Sequence, residues 1–267
     1  MLDILKYDFF QNALIGGILI SLLSGIFGVL VVMRKEANIT HSISNFLFLG
    51  VTVSLFFSGN YYFYAFLFGI IGSLIIFFLE KTNLITREST KEIISQIGMS
   101  LAIFMIGFLQ NLSLDINNFL FGSILFVNNY DLIIISGLVL VGYTLLYFYG
   151  RKFLAIIINE DISRSMGIRV NYYNLFFLVF LSVFLGVSIK IFGILLIGAF
   201  LVIPSNIGKI FGNSIKKVFF ISVCSSLFSV VFGLFSSYYL GTSTSSTIVL
   251  TLLFIFFVGV AFKKIFK

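Results

Sequence analysis

The feature that most constrains this chain is a succession of long apolar runs separated by short polar breaks. Each run approaches the length of about 20 residues that a helix needs to cross a bilayer. Inside hydrocarbon the backbone must satisfy its own hydrogen bonds, so only helices or a closed barrel can span. A barrel would read as segments of about ten residues alternating apolar and polar; the runs here are unbroken and predict helices. Hydrophobic residues make up 60% of the 267 positions and charged residues 10%, with a mean hydropathy of +1.15. That is too little charge to cover a soluble surface.

The length accommodates eight or nine spans. The runs place them at 10–32, 41–58, 62–79, 93–111, 132–149, 173–189, 191–208, 218–238 and 246–262. The expected fold class is all-α, a polytopic integral membrane helical bundle built as a single domain over 1–267, with no linker tract to mark a second. The division after Lys190 is the least sharply defined. The stretch 114–130, with Asn117, Phe121 and Gly122, reads as a connector that could hold an interfacial or re-entrant helix. The first run is longer than a signal-peptide core and lacks a small-residue cleavage site, so it is expected to remain as a span.

Charge placement sets the orientation. Fifteen of the 17 Lys and Arg residues fall in one set of breaks, from Arg34 and Lys35 through to Lys263, Lys264 and Lys267. The opposite breaks hold no Lys or Arg, only Asp115 and Asp131; Lys6 and Lys190 are the two exceptions. The basic breaks are therefore expected on the cytoplasmic side, with the C-terminus there too. Basic residues that punctuate helix ends form no stripe, which excludes nucleic acid as the partner. Tyr61, Tyr62, Tyr130, Tyr147, Tyr149, Tyr172, Tyr173, Tyr238 and Tyr239 fall near span ends, the headgroup level that amphipathic rings favour. Gly17, Ser21 and Gly25, Ser24 and Gly28, and Gly69 and Ser73 repeat every four positions, the spacing that lets helices approach closely. Packing inside the chain or an interface between chains would both use it.

Few polar side chains lie within spans. His41 is the only histidine, and Asn45 follows one helical turn later on the same face. An imidazole nitrogen and an amide oxygen at that spacing can reach one transition-metal ion, while a histidine near a helix end can also serve as a cap. The segment Asn159 to Ile168 differs from every other break: Glu160 and Asp161 precede Arg164, in the order the helix dipole favours, and Gly167 supplies a stop. It reads as a short helix for docking a soluble partner, or as a solvated connector. Pro204 is the only proline, inside an apolar run with Gly193, Gly198 and Gly208; a pathway-lining broken helix and a packing kink both fit.

The sequence also lacks the residues that other membrane chemistries need. No GxxxxGK[ST] loop is present, so ATP is not bound in that way by this chain. The single histidine has no acidic partner nearby in sequence, which argues against a hydrolase. All ten acids fall near span ends or in breaks, which argues against an intramembrane proton relay.

At these residues the chain resembles the zinc/manganese/iron permease family of ABC importers over nearly its whole length. FFQNALIGGILISLLSGIFGVLVVMRK (9–35) resembles the family's first span with its basic turn. SNFLFLGV (44–51) occupies the place of its Ser-His-Ala-x-Leu-Pro-Gly stretch. FLFGSILFVNNYDL (119–132) is similar to its Phe-Gly-x-Ile-Leu segment, and NEDISRSMGIRV (159–170) to its coupling segment. GILLIGAFLVIPSNIGKIF (193–211) resembles its proline-bearing span, and GLFSSYYLGTSTSSTIVL (233–250) its penultimate loop and last span. The resemblance implies a type II ABC importer-like permease that hydrolyses nothing itself. It implies two cytoplasmic ABC ATPase subunits, a second permease chain and an extracytoplasmic metal-binding protein. A zinc, manganese or iron ion would be transported, with ATP on the partner subunit and no cofactor held by this chain. His41 and Asn45 stand where the family carries Asp and His metal ligands, Leu49 replaces its Pro, and Gly241, Ser243 and Ser245 stand where Asp, Pro and Gly are common. Glu160, Asp161, Arg164 and Gly167 fall on the ATPase-coupling segment, and Pro204 on the pathway helix. Rival readings are a permease for a metal chelate or other small solute, a gradient-driven secondary transporter, and a membrane scaffold.

Overall fold

The computed structural model describes residues 7–82, 84–108, 119–122 and 127–265. Nine long helices and one short one account for almost all of them: α1 (Asp8–Met33), α2 (Asn38–Phe56), α3 (Tyr61–Thr82), α4 (Arg87–Ile106), α5 (Asn129–Ile158), α6 (Glu160–Ser165), α7 (Val170–Phe192), α8 (Ile194–Phe211), α9 (Ile215–Leu240) and α10 (Thr244–Ile265). Eight of the long helices are long and apolar enough to cross a membrane by composition alone. The ninth, α4, falls short because its first half carries Arg87, Glu88, Lys91, Glu92 and Gln96. The protein is a multi-pass membrane bundle, as the unbroken runs predict. Asn117 and most of the connector 114–130 lie outside the described residues.

Helices α1, α2 and α7 form the centre and bury most of their length, whereas α3, α5 and α10 show most of theirs. The exposed faces are apolar, with Phe78, Phe104, Phe148, Phe254 and Phe257 pointing outward. In lipid this costs nothing, since acyl chains are as apolar as the core. Cys224 lies on such a face of α9.

With no hydrophobic force between helices in lipid, close packing and interhelical hydrogen bonds hold the bundle together. The small-residue stripes do this within the chain. A Cβ on Gly25 would lie 2.7 Å from the Val223 backbone of α9, and one on Gly28 would run into the Leu201 carbonyl of α8. Ser226 on α9 donates to the Ser21 carbonyl at 3.0 Å. On α3, Gly69 meets Leu47 and Ser182, and Ser73 donates to the Leu178 carbonyl of α7.

Several helix boundaries differ from those the runs suggest: α5 continues nine residues past the predicted 149, to Ile158, and two others have a clear physical cause. The break between α7 and α8 falls at Gly193, with φ +76°, and not at Lys190. Gly193 lies back to back with Gly122, itself at φ +70°, and a Cβ on either would collide with the other's backbone. Helix α4 begins six residues before the predicted 93, because charged side chains in its first turns find partners and need not leave the bundle.

Candidate functional site

The turn joining α1 to α2 is tight. Lys35 takes φ +58°, and the Glu36 amide bonds back to the Val31 carbonyl. Helix α2 then starts at Asn38, with Thr40 and Ser42 donating to the carbonyls of Ala37 and Asn38. His41 is exposed on this first turn, although α2 is the most buried helix of the bundle. Asn45 follows on the same face and is 6% exposed. Its Nδ2 lies 3.3 Å from His41 Nε2 and donates to Ser95 Oγ of α4 at 2.8 Å. The structure thus brings the two sequence-predicted residues together and adds Ser95. Helix α4 comes this close because Gly98 has no side chain: a Cβ there would lie 2.7 Å from Phe46 Cα. On the other side Thr40 faces Gly198 of α8.

The chemistry of this trio is specific. In this arrangement the Asn45 Nδ2 faces His41 Nε2, which can accept from it in the tautomer that carries its proton on Nδ1. Rotating the amide would turn its oxygen toward the same spot as Nε2, giving two neutral ligand atoms for one cation. The Ser95 hydroxyl can accept from Nδ2 or donate to Oδ1, so it supports both orientations. Among the described residues no three His, Cys, Asp or Glu side chains gather to hold a metal.

A charge network lies at the basic end of the bundle. Lys91 is 2% exposed, with Nζ 3.6 Å from Glu36 and 3.4 Å from Glu80. Arg34 reaches Glu36 at 3.3 Å and donates to Asn174 of α7 at 2.8 Å, with its guanidinium over the Phe177 ring. Arg87 donates both terminal nitrogens to Glu160, at 3.2 and 3.1 Å. A hydropathy reading sees these charges but not that they find partners inside the bundle; the four-residue spacing of Arg87 and Lys91 is the part of the pattern the sequence carried.

Helix α6 belongs to this end. Asn159 caps it by accepting from the amides of Asp161 and Ile162. Glu160 and Arg164 face each other one turn apart at 3.9 Å. Burial alone would raise the Glu160 carboxyl, but the Arg87 hydrogen bonds and charge outweigh it and hold it below the usual carboxylate value. Gly167 takes φ +79° and turns the chain back, as its position in the sequence suggests. Asp161 and Arg164 are exposed, and so are Ile162 (56%) and Met166 (72%), which lie one turn apart on the same face. A polar cavity of about 250 Å³ opens beside α6, lined by Glu80, Lys81, Arg87, Arg164, Asn171 and Asn174.

Pro204 lies elsewhere, buried where α8 packs on α1. Proline has no N–H for the carbonyl four residues back, and that carbonyl, Phe200, takes a hydrogen bond from Ser24 at 2.8 Å. At the opposite end of the bundle the buried Asp131 binds Lys190 Nζ at 2.7 Å and accepts from the Tyr62 hydroxyl. The Tyr61 hydroxyl donates to the Gly186 carbonyl at 2.6 Å. These two tyrosines are tied into the packing, where the sequence suggests only headgroup anchors.

Comparison with known proteins fits this architecture. The model of the ABC 3 transport family matches residues 6–263. The high-affinity zinc uptake system membrane protein ZnuB of Buchnera aphidicola is 30% identical over 237 residues, 88% of this chain and 91% of that protein. The manganese import system permease protein ScaB of Streptococcus gordonii is 27% identical over 95% of this chain and 91% of its own length. Among solved structures, PsaBC from Streptococcus pneumoniae, in complex with Fab, superposes with a TM-score of 0.86 at 28% identity, covering 96% of this chain and 92% of that one.

Proposed function

Because this chain belongs to the ABC 3 transport family, we propose that it is the membrane-spanning permease subunit of an ATP-driven importer for a divalent transition metal, with zinc and manganese the first cargoes to test. Relatives named for zinc and for manganese uptake match it over most of their length. The observation within the chain that carries the reading is the His41–Asn45 pair. A lone imidazole is exposed on the most buried helix, beside an amide held by Ser95. Polar groups at such positions tend to face a pathway.

The pair is neutral, whereas the family's usual Asp and His ligands carry a charge. It suits a borderline cation such as zinc better than a hard one such as manganese. A second permease chain facing His41 would supply the remaining ligands, and an extracytoplasmic metal-binding protein would deliver the ion at the end holding Asp131. The basic end would be cytoplasmic, by the excess of Lys and Arg there, with the C-terminus on that side of the cell membrane. Two ATPase subunits would dock there on α6, reading its exposed Ile162 and Met166 together with Asp161 and Arg164. ATP would be bound and hydrolysed on those subunits.

The test is reconstitution. The chain should copurify with an ABC ATPase, and proteoliposomes holding both should accumulate zinc or manganese only when ATP is supplied. Metal uptake driven by an ion gradient without ATP would overturn the proposal in favour of a secondary transporter.

A further inference from the structure

Helix α4 carries three polar side chains at intervals of four residues, and each holds a different part of the molecule. Arg87 binds Glu160 of α6 through two hydrogen bonds. Lys91 is buried between Glu36, in the α1–α2 turn, and Glu80, at the end of α3. Ser95 accepts from Asn45, which in turn contacts His41. Positions 87, 91 and 95 share one face of a helix, and Gly98, one turn further, brings that face against the α2 backbone. Arg87 and Ser95 thus link α6 and the His41–Asn45 pair to one helix.

We propose that α4 is the rod that transmits displacement of α6 to the His41–Asn45 pair, with Arg87 as the positioning residue that joins rod and lever. The inference rests on the importer reading and adds to it the route by which α6 acts on the His41–Asn45 pair, both of them toward the basic end of the bundle. Each joint on the route has a physical basis. The planar guanidinium holds the carboxylate with two parallel bonds, which fixes orientation as well as distance. Lys91, with almost no exposure, cannot leave Glu36 and Glu80 without stranding a buried charge. A shift of α4 along its axis therefore moves the start of α2 with it. It also moves Ser95, the α4 side chain to which the Asn45 amide donates. Where His41 and Asn45 stand in the bundle then follows from the position of α4.

The joint predicts a particular pattern of uncoupling. Arg87→Gln and Glu160→Gln each remove the two-pronged bond while leaving both side chains at a partly exposed helix end, where neither supports the core. In proteoliposomes containing the permease with its ATPase subunits, two quantities would be read: zinc or manganese taken up and ATP hydrolysed. Each single variant should keep its ATPase on purification and hydrolyse ATP, yet move about tenfold less metal per ATP, the scale expected for loss of a coupling contact. The double variant should do no worse than either single one, since both remove the same joint. Unchanged metal per ATP in either single variant would overturn the proposal. So would a double loss equal to the product of the single losses, or loss of the ATPase from either single variant, which would make that residue part of the docking surface. Failure of the wild-type complex to take up metal with ATP would instead sink the importer reading itself.

Discussion

The hydroxyl of Ser24 donates to the carbonyl of Phe200 at 2.8 Å, the carbonyl that Pro204 leaves without its helical partner. A proline is tolerated in a membrane helix when a neighbouring helix supplies the missing donor. Here α1 supplies it to α8. Ser24→Ala should therefore destabilise the bundle by about 1 kcal/mol, a typical value for one interhelical hydrogen bond. In a Pro204→Ala background, where α8 regains its own N–H, the same substitution should cost much less. Thermal unfolding of the four proteins in detergent gives the interaction energy directly. Equal costs of Ser24→Ala in both backgrounds would show that the serine is there for packing alone.

At the opposite end, Lys190 is matched to Asp131, which is 2% exposed. Removing one member of such a pair strands the other. Lys190→Met should cost about 2 kcal/mol, below the usual figure for a fully buried pair because Lys190 is partly exposed. Adding Asp131→Asn should recover much of that loss, since the stranded charge disappears. Asp131 also accepts from the Asn128 amide at the start of α5, so Asp131→Asn alone should weaken that helix start as well. A double variant less stable than Lys190→Met would contradict the pairing.

Much of the fold was legible in the sequence, for a simple reason: hydrocarbon demands length and apolarity, and both can be counted. What could not be counted was where a charge finds a partner. Lys190 interrupts an apolar run and reads as a helix end, yet α7 continues to Phe192 because Asp131 meets the ammonium. Lys91 and the charges around it push the expected start of α4 to 93, yet the helix begins at Arg87 because Glu36 and Glu80 lie opposite. Both partners come from distant parts of the chain. The His41–Asn45 pair was legible because its two members are local, one turn apart on a single helix. Ser95 was not, since only the close approach at Gly98 brings α4 to Asn45.

If His41 and Asn45 hold the transported ion, His41→Ala should lower zinc or manganese accumulation at least about tenfold, the scale on which a lost ligand or its support affects metal sites. The amount of permease in the membrane should stay the same, because His41 is exposed and packs nothing essential. Asn45→Asp should keep or raise uptake, with the Ser95 hydroxyl donating to the new carboxylate in place of accepting from the amide. Radioactive metal uptake, normalised to protein detected in the membrane, reads both. Undiminished uptake in His41→Ala would reduce the histidine to a helix-end residue.

The short helix α6 offers the sharpest test of docking, because its two exposed apolar residues have no role inside the chain. Ile162 and Met166 lie one turn apart on one face, and Asp161 and Arg164 are exposed beside them on the same short segment. Ile162→Glu or Met166→Glu should leave the permease folded, since both side chains are exposed and outside the core. Either should weaken ATPase binding by about tenfold or more, as expected when a charge replaces a central apolar anchor. Gly167→Val tests the same surface through the backbone. A Cβ at Gly167 would meet no atom within 4 Å, so its only cost is the φ of +79°, about 1–2 kcal/mol for a β-branched residue. That is enough to loosen the turn after α6 and too little to unfold nine packed helices. The expected outcome is a permease of normal abundance that loses its ATPase on purification and stops transporting. If Ile162→Glu, Met166→Glu and Gly167→Val all keep the ATPase bound and metal moving at the normal rate, α6 is a connector and the subunits dock elsewhere.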